Sequence, residues 1–165
     1  MSTLFSSNRG LRRALIAAGA LTALGFASAA VAGECPADKF KAGVREPVTT
    51  PASGVTDTVL ASIDLAKEPV KLNDHLQRVR KLVIQPGGVV PWHSHADRPA
   101  LIMTLSGTIT EYRSTCAVGI EHPAGDVARE ETGYSHWWKN NGHEPAVLIA
   151  ADIKNDGAAA DGDHM

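Results

Sequence analysis

The sequence predicts an all-β domain, folded as a sandwich or barrel, and three observations support this. Beyond residue 32 the apolar residues fall in short runs, several of which alternate with polar residues as in half-buried strands. Turn formers containing glycine or asparagine separate these runs. No stretch of this region keeps a helical period over three turns, which argues against a helical domain.

The first 32 residues are predicted to be a signal peptide. Arg9, Arg12 and Arg13 precede an apolar run that ends in Ala30-Val31-Ala32, the small-residue pattern of a cleavage site. We therefore expect cleavage before Gly33 and a periplasmic or secreted protein. The alternative is an uncleaved membrane anchor over residues 14–32, which is as long as a short membrane-spanning helix.

The composition of the remaining chain limits its partners. Removing the leader leaves 133 residues, enough for one domain with a single core. The leader holds three of the 16 basic residues and none of the 18 acidic ones, so the remaining chain has a net charge of −5. That charge argues against nucleic acid or an anionic membrane as the partner.

The chain has two cysteines, Cys35 and Cys116. Because an exported protein occupies a compartment where disulfides persist, we expect these two to form a bridge. The bridge would tie an N-terminal arm to the domain. The alternative, in which one thiol is a metal ligand, is weaker because neither cysteine has a partner at ligand spacing.

The predicted elements follow in chain order. Residues 33–54 contain prolines and scattered charges without periodicity, which predicts an extended arm, and residues 154–165 are Asp-, Gly- and Ala-rich, which predicts a disordered tail. The barrel domain is predicted over residues 55–153, with the Pro86-Gly87-Gly88 segment as a turn between two strands. The predicted strands are 55–65, 76–85, 89–95, 100–105, 108–113, 118–121, 127–130, 134–139 and 146–153.

Three histidines have a spacing that predicts one metal site. Side chains alternate in an extended strand, so His93 and His95 lie on the same face. His136 comes from a distant predicted strand and would complete the set. Neutral imidazole is the commonest metal ligand, and three of them leave coordination positions open for water or substrate. The alternative is a barrel that keeps its histidines as hydrogen-bonded core residues without metal.

Two motifs around these histidines resemble those of the cupin family. The pattern G-x5-H-x-H-x3,4-E-x6-G is matched by Gly87, His93, His95 and Gly107. The pattern G-x5-P-x-G-x2-H-x3-N is matched by Gly125, Gly133, His136 and Asn140, with Glu131 in place of the proline. The resemblance implies a small single-domain cupin, a double-stranded β-helix (jelly-roll) barrel with a metal in its mouth.

The glutamate ligand of the first motif is missing, because its position falls on Ala100 or, with a shorter gap, on Pro99. If Ser106-Gly107 is a two-residue hairpin turn, Glu111 lies one strand away and faces the interior. Glu111 is therefore our candidate for a fourth ligand, or for a catalytic or orienting base beside a histidine. The alternative is an internal ion pair between Glu111 and Arg113.

Three further residues are candidates for substrate binding. Arg98 follows the histidine pair in a predicted loop, and its planar guanidinium would suit a carboxylate or enolate; the alternative is a surface pair with Asp97. Tyr134 and Trp138 share a face with His136, so we expect them to line the cavity. Either aromatic residue would also suit a packed core.

The resemblance implies a divalent transition metal (Fe, Cu, Ni, Zn or Mn), a small-molecule ligand that could be anionic, and the family's habit of homodimerisation. Similarity to three-histidine cupin dioxygenases implies oxidation of a small oxygenated organic acid or diketone. The alternative is a noncatalytic periplasmic module that binds metal or a small ligand. Because one barrel hosts many chemistries, the fold does not choose between them.

Overall fold

The computed structural model describes residues 33–157, so the predicted signal peptide and most of the predicted tail lie outside the described residues. After a short 3₁₀ helix (Ala37–Lys39), all regular structure is β. The eight strands are β1 (Ser53–Asp64), β2 (His75–Ser94), β3 (Ala100–Ser106), β4 (Thr108–Arg113), β5 (Ile120–Pro123), β6 (Val127–Glu130), β7 (Ser135–Lys139) and β8 (Ala146–Asn155). The strands thus begin and end two residues outside the predicted barrel boundaries.

The strands form one antiparallel sheet in the order β5-β4-β7-β2-β8-β3-β6, which curves into a nearly closed barrel. β2 belongs to both halves of the barrel because residues 75–84 pair with β8 and residues 89–94 pair with β7. One half is therefore β2-β8-β3-β6 and the other is β2-β7-β4-β5. β1 lies outside this order and pairs with β2.

Each long segment of chain bends where it passes from one half to the other. Residues 86–88 do not form the predicted turn between two strands; they are an irregularity within the single strand β2. Gly87, Gly107 and Gly125 have φ angles of 77°, 74° and 92° at three of these bends, a region that favours glycine. Asn140 supports the fourth bend, since its Nδ2 donates to the backbone oxygens of Ile84 and Glu144.

The hairpin considered at Ser106-Gly107 does not form. β3 pairs with β8 and β6, whereas β4 pairs with β7 and β5. β3 and β4 therefore follow each other as one bent segment and do not fold back on each other. The reason is the bend itself, which directs β4 to the opposite half of the barrel.

Apolar side chains from both halves of the barrel pack together into one core. Leu82, Ile84, Ile102, Trp138 and Leu148 are among the buried members of this core. In a closed barrel each strand buries alternate residues, and β8 and β3 both follow this pattern. Among residues 33–157, no helix combines the length and the apolar character needed to cross a membrane.

Candidate metal centre

Three imidazoles meet inside the barrel. His93 on β2 and His136 on β7 are directly opposed partners on neighbouring strands, and His95 follows two residues after His93. The Nε2 atom of His93 lies 2.9 Å from Nε2 of His95 and 3.2 Å from Nε2 of His136. The structure thus brings together all three histidines that the sequence spacing singled out.

The opposite nitrogen of each ring has an oxygen partner. Nδ1 lies 2.8 Å from the Pro91 backbone oxygen in His93, 2.6 Å from the Arg98 backbone oxygen in His95, and 2.6 Å from Oε1 of Glu111 in His136. Since these oxygens only accept, each Nδ1 carries a proton, and in the neutral form each ring presents its Nε2 lone pair. Three lone pairs at such short separations repel one another unless a cation lies between them.

Glu130 on β6 adds a carboxylate to the three nitrogens. Its Oε2 lies 2.9 Å from Nε2 of His95, and its Oε1 lies 3.5 Å from Nε2 of His136. One ligand atom from each of the four side chains lies within 4.8 Å of the other three. This His/Glu cluster is compatible with metal binding.

The position of Glu130 follows from strand register. Ala100 occupies the motif position where a glutamate was expected, and the strand pairing places Glu130 directly opposite Ala100. Because the alanine side chain ends at Cβ, the longer glutamate side chain can extend across it toward the histidines. The sequence analysis did not identify Glu130. An inward-facing glutamate on β6 could have been recognised only if the register of β6 against β3 had been known.

Glu111 lies on the other side of His136. It is fully buried, and its carboxylate accepts hydrogen bonds from His136 Nδ1 and Arg113 Nε, both at 2.6 Å. The structure therefore places Glu111 where it orients His136 and also in the ion pair with Arg113 that the sequence offered as the alternative. It is not a member of the cluster formed by the Nε2 atoms and Glu130.

His122 extends this network away from the cluster. Its Nε2 lies 3.0 Å from Oε2 of Glu111, and its Nδ1 lies 2.7 Å from Oδ2 of Asp126. The His122 side chain is buried on β5, and its ring is tilted against the Trp138 ring. His143, in contrast, is exposed.

Burial and neighbouring charges set the protonation of the cluster. Burial, with a further contribution from His136, lowers the pKa of His93 to about 3, so this ring is neutral at physiological pH. Burial opposes ionisation of Glu130, yet His136 and His95 hold its pKa below the usual value. Burial also opposes ionisation of Glu111, but hydrogen bonds from His122 and His136 keep the pKa of Glu111 below the usual value. The cluster thus combines a neutral imidazole at His93 with an ionised carboxylate at Glu130, the forms that bind metals.

A small cavity lies beside the cluster. The space open to the centre of a water molecule is about 20 Å³, room for one or two waters. Its walls are Arg80, Leu82, Val90, His93, His95, Ile102, Glu130, Trp138 and Leu148. Of the two aromatic residues that were expected to line the cavity, Trp138 does so.

The other two substrate-binding candidates lie outside the cavity wall. Tyr134 packs its ring edge 5.6 Å from His136, donates its hydroxyl to the Arg129 backbone oxygen, and has a pKa that burial raises to about 12. The Arg98 side chain lies 3.5 Å from Asp152 on β8. The backbone oxygen of Arg98 holds His95, so the loop has a structural link to the cluster.

The predicted disulfide is confirmed, because Cys35 and Cys116 are bonded and neither thiol is available as a metal ligand. The bridge docks the N-terminal arm against the β4–β5 connection, where Phe40 pairs with Cys116. Glu34 in this arm lies 3.9 Å from Arg113, the partner of Glu111. The arm is thus packed over the network behind His136.

Residues 80–152 match the model of the Cupin_2 family, described as a cupin domain. Germin-like protein 5-1 of Oryza sativa subsp. japonica is 30% identical over 124 residues, which are 69% of this chain and 52% of the rice protein. The chain therefore spans about half the length of this relative.

Solved structures also resemble the barrel. A predicted oxalate decarboxylase from Thermotoga maritima superposes with a TM-score of 0.50 at 19% identity, covering 73% of this chain and 97% of its own. A double-stranded β-helix protein from Klebsiella pneumoniae has a TM-score of 0.48 at 18% identity, with coverages of 69% and 85%. At these identities the likeness concerns the fold alone.

Proposed function

Residues 80–152 form a cupin domain, and on that premise we propose that this protein is a metal-dependent cupin. His93, His95, His136 and Glu130 would hold one divalent transition-metal ion. The observation that carries the proposal is the meeting of three Nε2 lone pairs, each fixed by an oxygen at the opposite nitrogen. A cation bound between them would replace their repulsion with coordination.

The ligand set limits the metal. Three imidazoles and one carboxylate suit Fe, Mn, Ni, Cu or Zn better than Ca or Mg, which prefer all-oxygen sites. With Glu130 as the fourth ligand, a divalent ion would keep a net charge of +1. We assign this role to Glu130 and not to Glu111, because Glu130 contacts Nε2 atoms whereas Glu111 contacts Nδ1 of His136.

We further propose that the reaction is oxidation of a small oxygenated organic acid or diketone. A bound Fe or Mn would supply Lewis acidity and O2 activation. Glu111 would hold the His136 ring in place from behind. Trp138 and the apolar cavity walls would limit water beside the reacting atoms.

Metal analysis of the full chain isolated from its native compartment tests the metal assignment. We expect one transition-metal ion per chain in the unmodified protein and in the His143→Ala variant, whose histidine is exposed and outside the cluster. His93→Ala should lose the ion. A native protein that contains no stoichiometric metal would overturn the proposal.

Oxygen consumption tests the reaction class separately. The metal-loaded protein should take up O2 in the presence of a series of small hydroxy acids, keto acids and diketones, and His93→Ala should not. Tight retention of metal without O2 uptake would instead favour the noncatalytic binding module.

We also propose that the protein is exported. The Cys35–Cys116 bridge supports export, because disulfides persist in oxidising compartments. The predicted signal peptide supports it as well. Mass spectrometry of the native protein should find an N-terminus at Gly33. An intact leader in a cytoplasmic fraction would contradict the proposal.

A further inference from the structure

We propose that removal of the signal peptide creates a positioning group for the candidate metal centre. The α-ammonium group of Gly33, the first residue after the predicted cleavage site, would bind Asp126 and hold the network behind His136 in place. This inference rests on the proposed export and on the proposed metal centre. Gly33 is buried, and its nitrogen donates a hydrogen bond of 3.1 Å to the backbone oxygen of Glu121 on β5.

The carboxylate of Asp126 lies directly against the α-carbon of Gly33. A Cβ atom built on Gly33 would lie 2.7 Å from Oδ1 of Asp126 and closer still to Oδ2, so the contact requires glycine. The φ angle of 86° at Gly33 also favours glycine. Because the nitrogen and the Cβ of one residue are about 2.5 Å apart, the Gly33 nitrogen lies within about 5 Å of this carboxylate.

The cleavage signal does not explain this glycine. The small residues of that signal are Ala30 and Ala32, which precede the cleavage site. The contact with Asp126 does explain it, because a side chain at position 33 would collide with the carboxylate. The structure therefore places the new N-terminus beside a group of opposite charge.

Asp126 has an oxygen available for the new charge. Its Oδ2 lies 2.7 Å from Nδ1 of His122, whereas no hydrogen bond to its Oδ1 occurs among residues 33–157. Cleavage converts the Gly33 amide into an ammonium group with three donors, which is charged at neutral pH. One donor can stay on the Glu121 backbone oxygen while another reaches Asp126.

Asp126 is linked to the metal centre through one histidine and one glutamate. His122 lies between the carboxylates of Asp126 and Glu111. Glu111 in turn accepts the hydrogen bond from Nδ1 of His136. An ammonium group at Gly33 would hold the Asp126 carboxylate in the orientation that contacts His122. Since partners that orient a metal-binding histidine raise metal affinity, the processed protein would bind metal more tightly than its precursor.

The acylation rate of the α-amine tests the pairing on the metal-free processed protein. An opposite charge nearby favours the protonated, unreactive form of an amine. At pH 7 the Gly33 amine should therefore react at least about tenfold more slowly in the unmodified protein than in Asp126→Asn. Asp38→Asn is the matched control and should not change the rate, because Asp38 lies in the same arm with an exposed side chain paired to Lys39. Equal rates in Asp126→Asn and the unmodified protein would overturn the inference.

A second variant keeps the test decisive if Asp126→Asn does not fold. Inserting two glycines between Ala32 and Gly33 moves the amine by up to about 7 Å and leaves Asp126 unchanged. The displaced amine should react at least about tenfold faster than the native one. An unchanged rate would overturn the inference.

Competition with a metal-binding dye tests the link to the metal centre. Acetylation of the α-amine alone, verified by mass spectrometry, should lower metal affinity at least about threefold in the unmodified protein and leave it unchanged in Asp126→Asn. An equal loss in both proteins would overturn the route through Asp126. Failure of this inference alone would appear as a native protein that begins at Gly33 and holds stoichiometric metal, yet shows equal acylation rates with and without the Asp126 carboxylate.

Discussion

At the scale of single residues, the candidate centre is defined by the position of its carboxylate, which is on Glu130 and not at the motif position occupied by Ala100. The family motif expects a carboxylate at position 100, and this chain has one directly opposite it on the neighbouring strand. Opposed residues in an antiparallel pair share a face and have Cβ atoms about 5 Å apart, so either position can direct a glutamate to the histidines. A glutamate at either of the two positions would therefore give the centre the same groups, three imidazoles and one carboxylate.

This equivalence of the two positions predicts that the carboxylate can be moved back. Glu130→Ala should weaken metal affinity on the order of 100-fold, because a ligand is lost. Adding Ala100→Glu to that variant should restore affinity to within about tenfold of the unmodified protein. Competition with a metal-binding dye measures both. Failure of the double variant to recover, although it is folded by circular dichroism, would contradict the positional equivalence.

A second prediction concerns acidification of the metal-free protein. The unfolded chain protonates His93 below its ordinary pKa of 6.5, whereas burial delays protonation in the folded protein until about pH 3. Protonation therefore favours unfolding, and stability should fall as pH decreases between these values. Thermal unfolding in the presence of a chelator measures this. His93→Ala should flatten the profile and His143→Ala should not; a profile that rises toward low pH would refute the assignment.

At the scale of elements, the bends decide which strands become neighbours. Gly107 sits where β3 passes into β4, with φ of 74°, and a Cβ there would lie 2.8 Å from the Pro145 backbone oxygen. Gly125 has φ of 92° between β5 and β6, but a Cβ there would meet nothing within 4 Å. An alanine at Gly125 would therefore cost free energy only through its backbone conformation, whereas an alanine at Gly107 would also be crowded by Pro145.

We expect Gly107→Ala to lower the free energy of unfolding by about 2 to 5 kcal/mol, because both costs apply. Gly125→Ala should lower it by about 1 to 2 kcal/mol, from conformation alone. Urea denaturation of the two metal-free variants provides the comparison. Equal losses would mean that the close approach of Pro145 to the bend is unimportant.

At the scale of the whole molecule, the disulfide joins the arm to the barrel across 81 residues of sequence. The arm also forms backbone hydrogen bonds with the β4–β5 connection, through Lys41 and Val44. Arg45 adds a hydrogen bond to the Cys116 backbone oxygen. The homodimer implied by the family resemblance stays a prediction, which light scattering on the full chain can measure.

Reduction of the disulfide should lower stability by about 4 to 5 kcal/mol, because the unfolded chain gains the entropy of an open loop. Urea denaturation with and without a thiol reductant, both in the presence of chelator, measures this loss. The Cys35→Ser variant should match the reduced protein and show no further response to reductant. A reduced protein as stable as the oxidised one would mean that the arm is held by its other contacts.

Much of the fold and most of the site could be predicted from local sequence. Alternation marked the strands, and the spacing of His93, His95 and His136 indicated a shared site, because side-chain direction within a strand depends only on residue parity. Cys35 and Cys116 were the single available pair. Local sequence also indicated that the chain turns at Gly87 and Gly107. It did not show that the chain passes into the other half of the barrel at these two glycines.

Only the tertiary structure decided which strands are neighbours, and hence the roles of the carboxylates. A hairpin at Gly107 would have put Glu111 opposite the Ala100 strand, but β6 occupies that position and brings Glu130. Likewise, only β8 places Asp152 beside Arg78 and Arg80. Parity along a strand is a local property, whereas register between strands depends on bends and loops distributed over the whole barrel. The shared position of the three histidines could therefore be predicted from the sequence, whereas the carboxylate of Glu130 beside them could not.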